Sequence, residues 1–416
     1  MIPPLAFIAA YLSLLPFDIN NGKLILQIIN LIIHFFSAYL IYLIVCILLK
    51  HPKNKCCLPA ITSFLIYTYW PVVLYFHTDI FFPEMAGQFL WLCAIYLVLK
   101  YYLNYRQIPI WPAFIVFILF FYSEWIAVFF MSSWLIYVFI KKPFLIHRKL
   151  FFILMAAALT AGTILFIQFA SVAGIEKLFH SMGIRFLERS GYFGEKYSSM
   201  GVHVFSQASV GILLFNIYKA LTPAGLILLT GCIIMYFFHR KKFPAYFNLL
   251  LLLCTLPVLL HILVFFNANA LHLLLMARLI VPLSVSTGIT LFLTIEKFPF
   301  FKITKPLIIT VLILLSAFNS YLYLKKFTVK ETYPMLAEYA LFIKKNTQPE
   351  QSVFIIKNNT FTEPEKFLSF AAKRNIAVAV SDKDVLAYMK KINKNGEAVL
   401  FTFDGKSIQK KIIIAE

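Results

Sequence analysis

The sequence predicts an all-α polytopic membrane bundle of about ten spans, followed by a small C-terminal α/β domain on the extracytoplasmic side. Three observations lead there. Of the 416 residues, 61% are hydrophobic and 13% charged, whereas a soluble domain carries about 25% charged residues. The apolar residues fall in runs near the roughly 20 residues that cross a bilayer, and the turns between the runs alternate between rich and poor in Lys and Arg. From about Val329 the long apolar runs stop, and short β-type and helical segments take over.

Residues 1–23 hold an apolar stretch broken by Pro16. It is too short to span and lacks the positive start of a signal peptide, so an interfacial helix is expected. Residues 24–49 form the first span, closed by Lys50, Lys53 and Lys55. Residues 58–76 cross back and meet the acidic break FHTDIFFPEM (76–85), after which residues 85–103 run towards Lys100 and Arg106. The run 110–140 is too long for one ordinary span and short for two. Basic residues flank it on both sides, Lys100 and Arg106 before, Lys141, Lys142, Arg148 and Lys149 after. It must therefore cross twice and turn in its middle, where FYSEW places Glu124. Residues 150–171 lead into the long polar stretch 172–207. Spans then follow at 221–238, ending in HRKK, at 246–266, at 273–295 after the turn NANALH, and at 307–324 after a turn carrying Lys297, Lys302 and Lys305.

Retention of basic turns in the cytoplasm orients every crossing consistently, because these turns hold almost only Lys and Arg, with Glu296 as their one acid. The net charge of +20 would suit nucleic acid if it formed a stripe. It is dispersed over short turns beside lipid, so no nucleic-acid partner is expected. Cys46, Cys93, Cys232 and Cys254 lie in apolar runs, and Cys56 and Cys57 in a basic turn, which gives neither a disulfide framework nor zinc spacing. The chain divides into a transmembrane domain over 1–325 and an α/β domain over 330–416. In the latter, 352–356, 376–380 and 398–403 read as buried strands, with helices at 364–373 and at 382–391, the second capped by Ser381. That domain shows no glycine-rich phosphate loop and no Ser/His/Asp arrangement, and a docking or lid role is expected of it.

The polar residues of the membrane domain gather towards one face. Glu84 follows Pro83 at the start of a span, where a carboxylate complements the helix N-terminus and can also face an interior cleft. Asp79 fits a hydrated turn as well as a site, and His77 reads as an interfacial side chain. Glu124 lies among Phe120, Phe121, Trp125 and Phe129, where a charge is costly in lipid unless it faces a cavity or a partner; capping the hairpin is the plain alternative. His272 and Arg278 begin a late span. Arg278 stands about two helical turns below the interface, where it must pair or snorkel, and it suits a phosphate or one of the acids equally. In the long polar stretch His180, Arg185, Arg189, Lys196 and His203 alternate with aromatics, which fits a lipid-phosphate headgroup or an interfacial helix.

The opening IPPL with its interfacial apolar stretch, the FFPEM acidic helix start, the SEW hairpin and the late span beginning with His and Arg resemble bacterial membrane glycosyltransferases of the GT-C type. These are relatives of the protein O-mannosyltransferases and of the lipid A aminoarabinose transferase. The resemblance covers residues 1–325 and implies an inner-membrane enzyme with a polyprenyl-phosphate-linked sugar as donor and a lipid or glycan as acceptor. It implies a catalytic role for Glu84, Glu124 and Asp79, and donor-phosphate binding by Arg278, His272, Arg185 and Arg189. Some members need a divalent cation, and the sequence leaves the metal open. The class places a span and an acidic outer loop before its His-Pro-Pro-Leu-like stretch, whereas this sequence starts at Met1-Ile2-Pro3-Pro4, so weak or absent activity is expected of the chain as written. A polytopic transporter or lipid flippase, and a non-catalytic subunit of a membrane enzyme, are the two other classes that fit.

Overall fold

The computed structural model describes residues 19–49, 57–78, 83–103, 108–141, 144–192, 204, 206–243, 246–297, 305–327, 332–356, 368–369, 372–391, 396–403 and 408–415. The chain forms two compact units, residues 1–327 and 328–416. The first is helical: α1 (Ile19–Leu49), α2 (Cys57–Tyr69), α3 (Pro71–Thr78), α4 (Pro83–Leu103), α5 (Ile110–Ser123), α6 (Ile126–Lys141), α7 (Phe144–Ala173), α8 (Ile175–Ser190), α9 (Gln207–His239), α10 (Phe247–Val264), α11 (Phe266–Leu271), a 3₁₀ stretch (Leu273–Leu279), α12 (Ile280–Lys297) and α13 (Lys305–Phe327).

These helices are built for lipid. On α1, Leu24, Ile28, Leu31 and Phe35 recur at helical spacing and are exposed, while Asn30, His34 and Ser37 are buried. That is the reverse of a soluble helix, whose apolar stripe faces inward. Among the described residues six helices are long and apolar enough to cross a membrane, and the bent pair α2–α3 adds a seventh. Residues 110–123, 126–140 and 309–322 are apolar but shorter. The first unit is thus an integral-membrane helical bundle.

The run 110–140 does reverse. Tyr122, at the end of α5, donates to Gln168 Oε1 near the end of α7 at 2.6 Å, so α5 and α7 end on the same side. α6 ends two residues before α7 starts and must therefore run the other way. The rings of Phe120 and Phe130 lie 5.7 Å apart across the turn. Ten residues of continuous helix would separate them by about 15 Å along the axis. At 14 and 16 residues, α5 and α6 reach about 21 and 24 Å, less than the roughly 30 Å hydrocarbon core. Their shared tip consequently stops inside the bundle, and Glu124 there is 6% exposed.

Two helices are broken in mid-course, and the breaks interlock. Pro71 supplies no N–H, and the axis bends by 60° between α2 and α3. In α9, Thr222 takes φ 59 before Pro223, which releases carbonyls from the helical ladder. Trp70, at the α2–α3 break, donates its indole N–H to one of them, Ala220 O, at 2.8 Å, and Gly225 leaves the space its ring occupies. The expected span at 221–238 covers only the part of α9 around and after the break; the turns before it carry Ser209, Asn216 and Lys219, which dilute the apolar run.

The second unit has α14 (Thr332–Lys345), β1 (Ser352–Ile356), β2 (Ile376–Ala379), α15 (Asp382–Lys391), β3 (Gly396–Phe403) and β4 (Ile408–Ala415). Strand order is β2-β1-β3-β4, with β1 parallel to both neighbours and β4 antiparallel to β3. Phe354, Ala379, Val385, Met389, Ala398, Leu400 and Ile413 form a core between the sheet and α15. Ser381 begins α15 as expected, and the Asp384 carboxylate accepts its N–H at 2.9 Å, half of a capping box. Strand β4 escaped the sequence reading, since its first half, IQKK, carries no clean period of two. The helix read at 364–373 lies mostly outside the described residues.

Candidate functional site

The site grows from the α5–α6 tip. Glu124 ends α5 in extended conformation, φ −165 and ψ 148, which turns its side chain into the bundle. Its Oε2 accepts from Arg278 Nη2 at 2.7 Å and from the Ile126 N–H at 3.3 Å. Arg278 is 2% exposed and reaches this depth through the 3₁₀ stretch after His272. In a 3₁₀ helix residues three apart stack, so Arg278 shares the inward face with buried Leu275. The sequence reading expected regular helix here.

Helix α4 closes the other side. A Cβ on Gly87 would stand 2.8 Å from Glu124 Cβ and 2.9 Å from its Cγ, so glycine is what lets the hairpin tip seat on α4. Glu84 lies one turn earlier on the same face, within electrostatic reach of Glu124, Arg278 and Arg189. Glu84 Oε2 and Arg278 Nη1 are both buried without a hydrogen-bond partner among the described residues. One acid is thus neutralised by the guanidinium, the other keeps an acceptor unused, and the guanidinium keeps a donor unused. Such atoms are costly to bury empty, and together they match a ligand that offers both a proton and an anionic oxygen.

Two further residues belong to this enclave and were not singled out from the sequence. His261 on α10 is buried, its Nδ1 accepts from Asn269 Nδ2 at 3.0 Å, and it senses both Arg278 and Arg189. Asn269 also donates to the carbonyls of His261 and Phe265. The signal was a histidine inside an apolar run and two asparagines in NANALH, because polar groups in lipid need partners. The rings of Trp125, Phe129 and Phe186 surround Phe265 and wall the enclave.

The remaining expected residues scatter. Arg189, in the last turn of α8, is half-buried and acts electrostatically on Glu84, His261 and His272. His272 is exposed at the rim; partial burial, and then Arg189, hold its imidazole below the usual histidine pKa. Arg185 is an exposed residue of α8, outside the buried cluster. Asp79, Lys196 and His203 lie outside the described residues. His77 is not interfacial: it is 1% exposed and packs edge-on to His34, with ring centroids 5.7 Å apart. His34 stacks on Tyr67, whose hydroxyl accepts from Gln88 at 2.9 Å. The reason is the α2–α3 bend, which sets α3 against α1, the 3₁₀ stretch and α13 instead of letting it continue the line of α2 to the surface. Among the described residues no group of three or more His, Cys, Asp or Glu is arranged to hold a metal ion.

No protein-family profile matches the chain, and no curated protein matches it in sequence.

Proposed function

We propose that the protein is an integral-membrane glycosyltransferase-like protein that takes a sugar from a polyprenyl-phosphate carrier at the extracytoplasmic face and passes it to a lipid or glycan hydroxyl. The observation that carries this reading is the convergence of Glu84, Glu124 and Arg278, with an acceptor on Glu84 and a donor on Arg278 that no described residue fills. In this reading Glu84 takes the proton of the acceptor hydroxyl. The hydroxyl oxygen forms its bond to the anomeric carbon as the bond from that carbon to the phosphate oxygen breaks. The bonding pair leaves with the phosphate, onto Arg278 Nη1 with Arg189 beside it. Glu124 holds the guanidinium in place, and His272 and Arg185 meet the phosphate further out. Asp79 is a second acid for the acceptor side. About ten crossings with basic turns in the cytoplasm, in a bacterial inner membrane with the C-terminal unit outside, complete the reading, and the GT-C resemblance of residues 1–325 supports it.

The test is transfer of labelled sugar from polyprenyl-phosphate donors by membranes containing the chain, compared with Glu84→Gln and Arg278→Gln. Transfer that survives both substitutions refutes the assignment. A transporter reading draws on one observation, the two broken helices α2–α3 and α9, since broken helices near mid-membrane build transport sites. Here the Trp70 indole occupies the freed carbonyl of Ala220, which closes the break with protein. Vectorial uptake without transfer would favour the transporter.

A further inference from the structure

Helix α8 presents an apolar face that the bundle leaves open. Ile175, Phe179, Met182 and Phe186 are 58%, 60%, 39% and 44% exposed. Their spacing of four, three and four residues places all four within an arc of about 60°. The opposite side carries Glu176, Lys177, His180 and Ser181, also exposed. A helix in water would bury the first face and one inside the bundle would lack the second; only at an apolar–aqueous boundary are both faces satisfied. Arg185 and Arg189 lie along one edge of the apolar arc, where long cationic side chains reach from acyl chains to headgroups.

The placement of α8 agrees. It links α7 to α9, two helices long and apolar enough to span, through Gly174 (φ 81), which turns the chain sharply off α7. The end of α7 is on the Glu124 side, as its Gln168 contact with Tyr122 requires. At the far end, Gly191 closes α8 in left-handed conformation, and Asn267 Nδ2 donates to Glu188 O at 2.6 Å, fixing the helix to α11. The helix is therefore held past the end of α7, on the side of the enclave.

We propose that α8 lies in the membrane leaflet nearest Glu124, with Ile175, Phe179, Met182 and Phe186 among acyl chains and Arg185 and Arg189 on the phosphates of anionic lipids. This does not depend on sugar transfer: any activity of the enclave would meet the same lipid-embedded helix.

The experiment uses the full chain in phosphatidylcholine nanodiscs, with native cysteines replaced and spin labels introduced through Phe179→Cys, Met182→Cys, Lys177→Cys and His180→Cys in turn. Collision with oxygen is expected to dominate at 179 and 182, and collision with a water-soluble nickel chelate at 177 and 180. Low access to both reagents at 179 and 182 means that protein covers the face, and nickel access everywhere means that water does; either overturns the proposal. For the phosphate contact, native mass spectrometry after addition of phosphatidylglycerol should show retained lipid, reduced severalfold in Arg185→Gln/Arg189→Gln. Equal retention by that variant removes the arginines from the proposal. A chain without sugar-transfer activity would still give every one of these readings.

Discussion

Removing the Glu124 carboxylate tests the centre of the bundle most directly. In Glu124→Ala, Arg278 stays 2% exposed and loses the 2.7 Å contact of Nη2, while Nη1 already lacks a partner among the described residues. A buried charge stripped of its partner costs about 3–5 kcal/mol. Arg278→Ala leaves Glu124 with only the Ile126 N–H at 3.3 Å, and a loss in the same range is expected. The double variant buries no unpaired charge at this position, so its loss should fall short of the sum of the two single losses by up to about 3 kcal/mol. The assay is unfolding of the detergent-solubilised protein by titrated denaturing detergent, followed by circular dichroism and by tryptophan fluorescence, since Trp125 adjoins Glu124. Single losses that simply add in the double variant would refute the reasoning, because they would mean that the two charges do not sense each other.

Gly87→Ala puts a methyl 2.8 Å from Glu124 Cβ and should cost about 1–3 kcal/mol in the same unfolding assay, with altered Trp125 fluorescence as the tip shifts. Glu84→Gln should lower sugar transfer by about 100-fold or more while leaving the unfolding midpoint unchanged, which separates a chemical role from a structural one. Trp70→Phe leaves the Ala220 carbonyl without its donor and should cost about 1–3 kcal/mol, read in the same unfolding assay. The lowered pKa of His272, caused by burial and then by Arg189, keeps it neutral at pH 7, so any charge-based contribution it makes grows only as pH falls. Arg189→Gln should raise that pKa towards the ordinary value, measured by NMR titration of labelled histidine.

Much of the membrane domain was legible because partition into lipid depends on local composition. Helix α1 contains the predicted 24–49, α4 and α10 match their runs closely, and the hairpin of 110–140 followed from positive residues at both ends. Glu124 and Arg278 were each marked by the cost of a charge in lipid, and the alternative that the arginine pairs with an acid is the one the fold realises. The polar group of His34, Tyr67, His77 and Gln88 was not legible, because it draws on four helices and depends on a 60° bend that hydropathy does not register. The break at Thr222 carried a signal in Pro223, but the turns of α9 before it did not read as part of a span, because Ser209, Asn216 and Lys219 dilute the apolar run there.

By itself the sequence determined which segments are apolar enough for a membrane and which side chains cannot face lipid alone, since each of these is a transfer free energy of a short stretch. Only the tertiary structure decided that Glu124 and Arg278, 154 residues apart, meet 2.7 Å from each other, that glycine at 87 makes room for them and that His261 and Asn269 join. In a bilayer the hydrophobic effect does not choose between helix faces. Close packing and the matching of buried donors with acceptors make that choice, and both are properties of the assembled bundle.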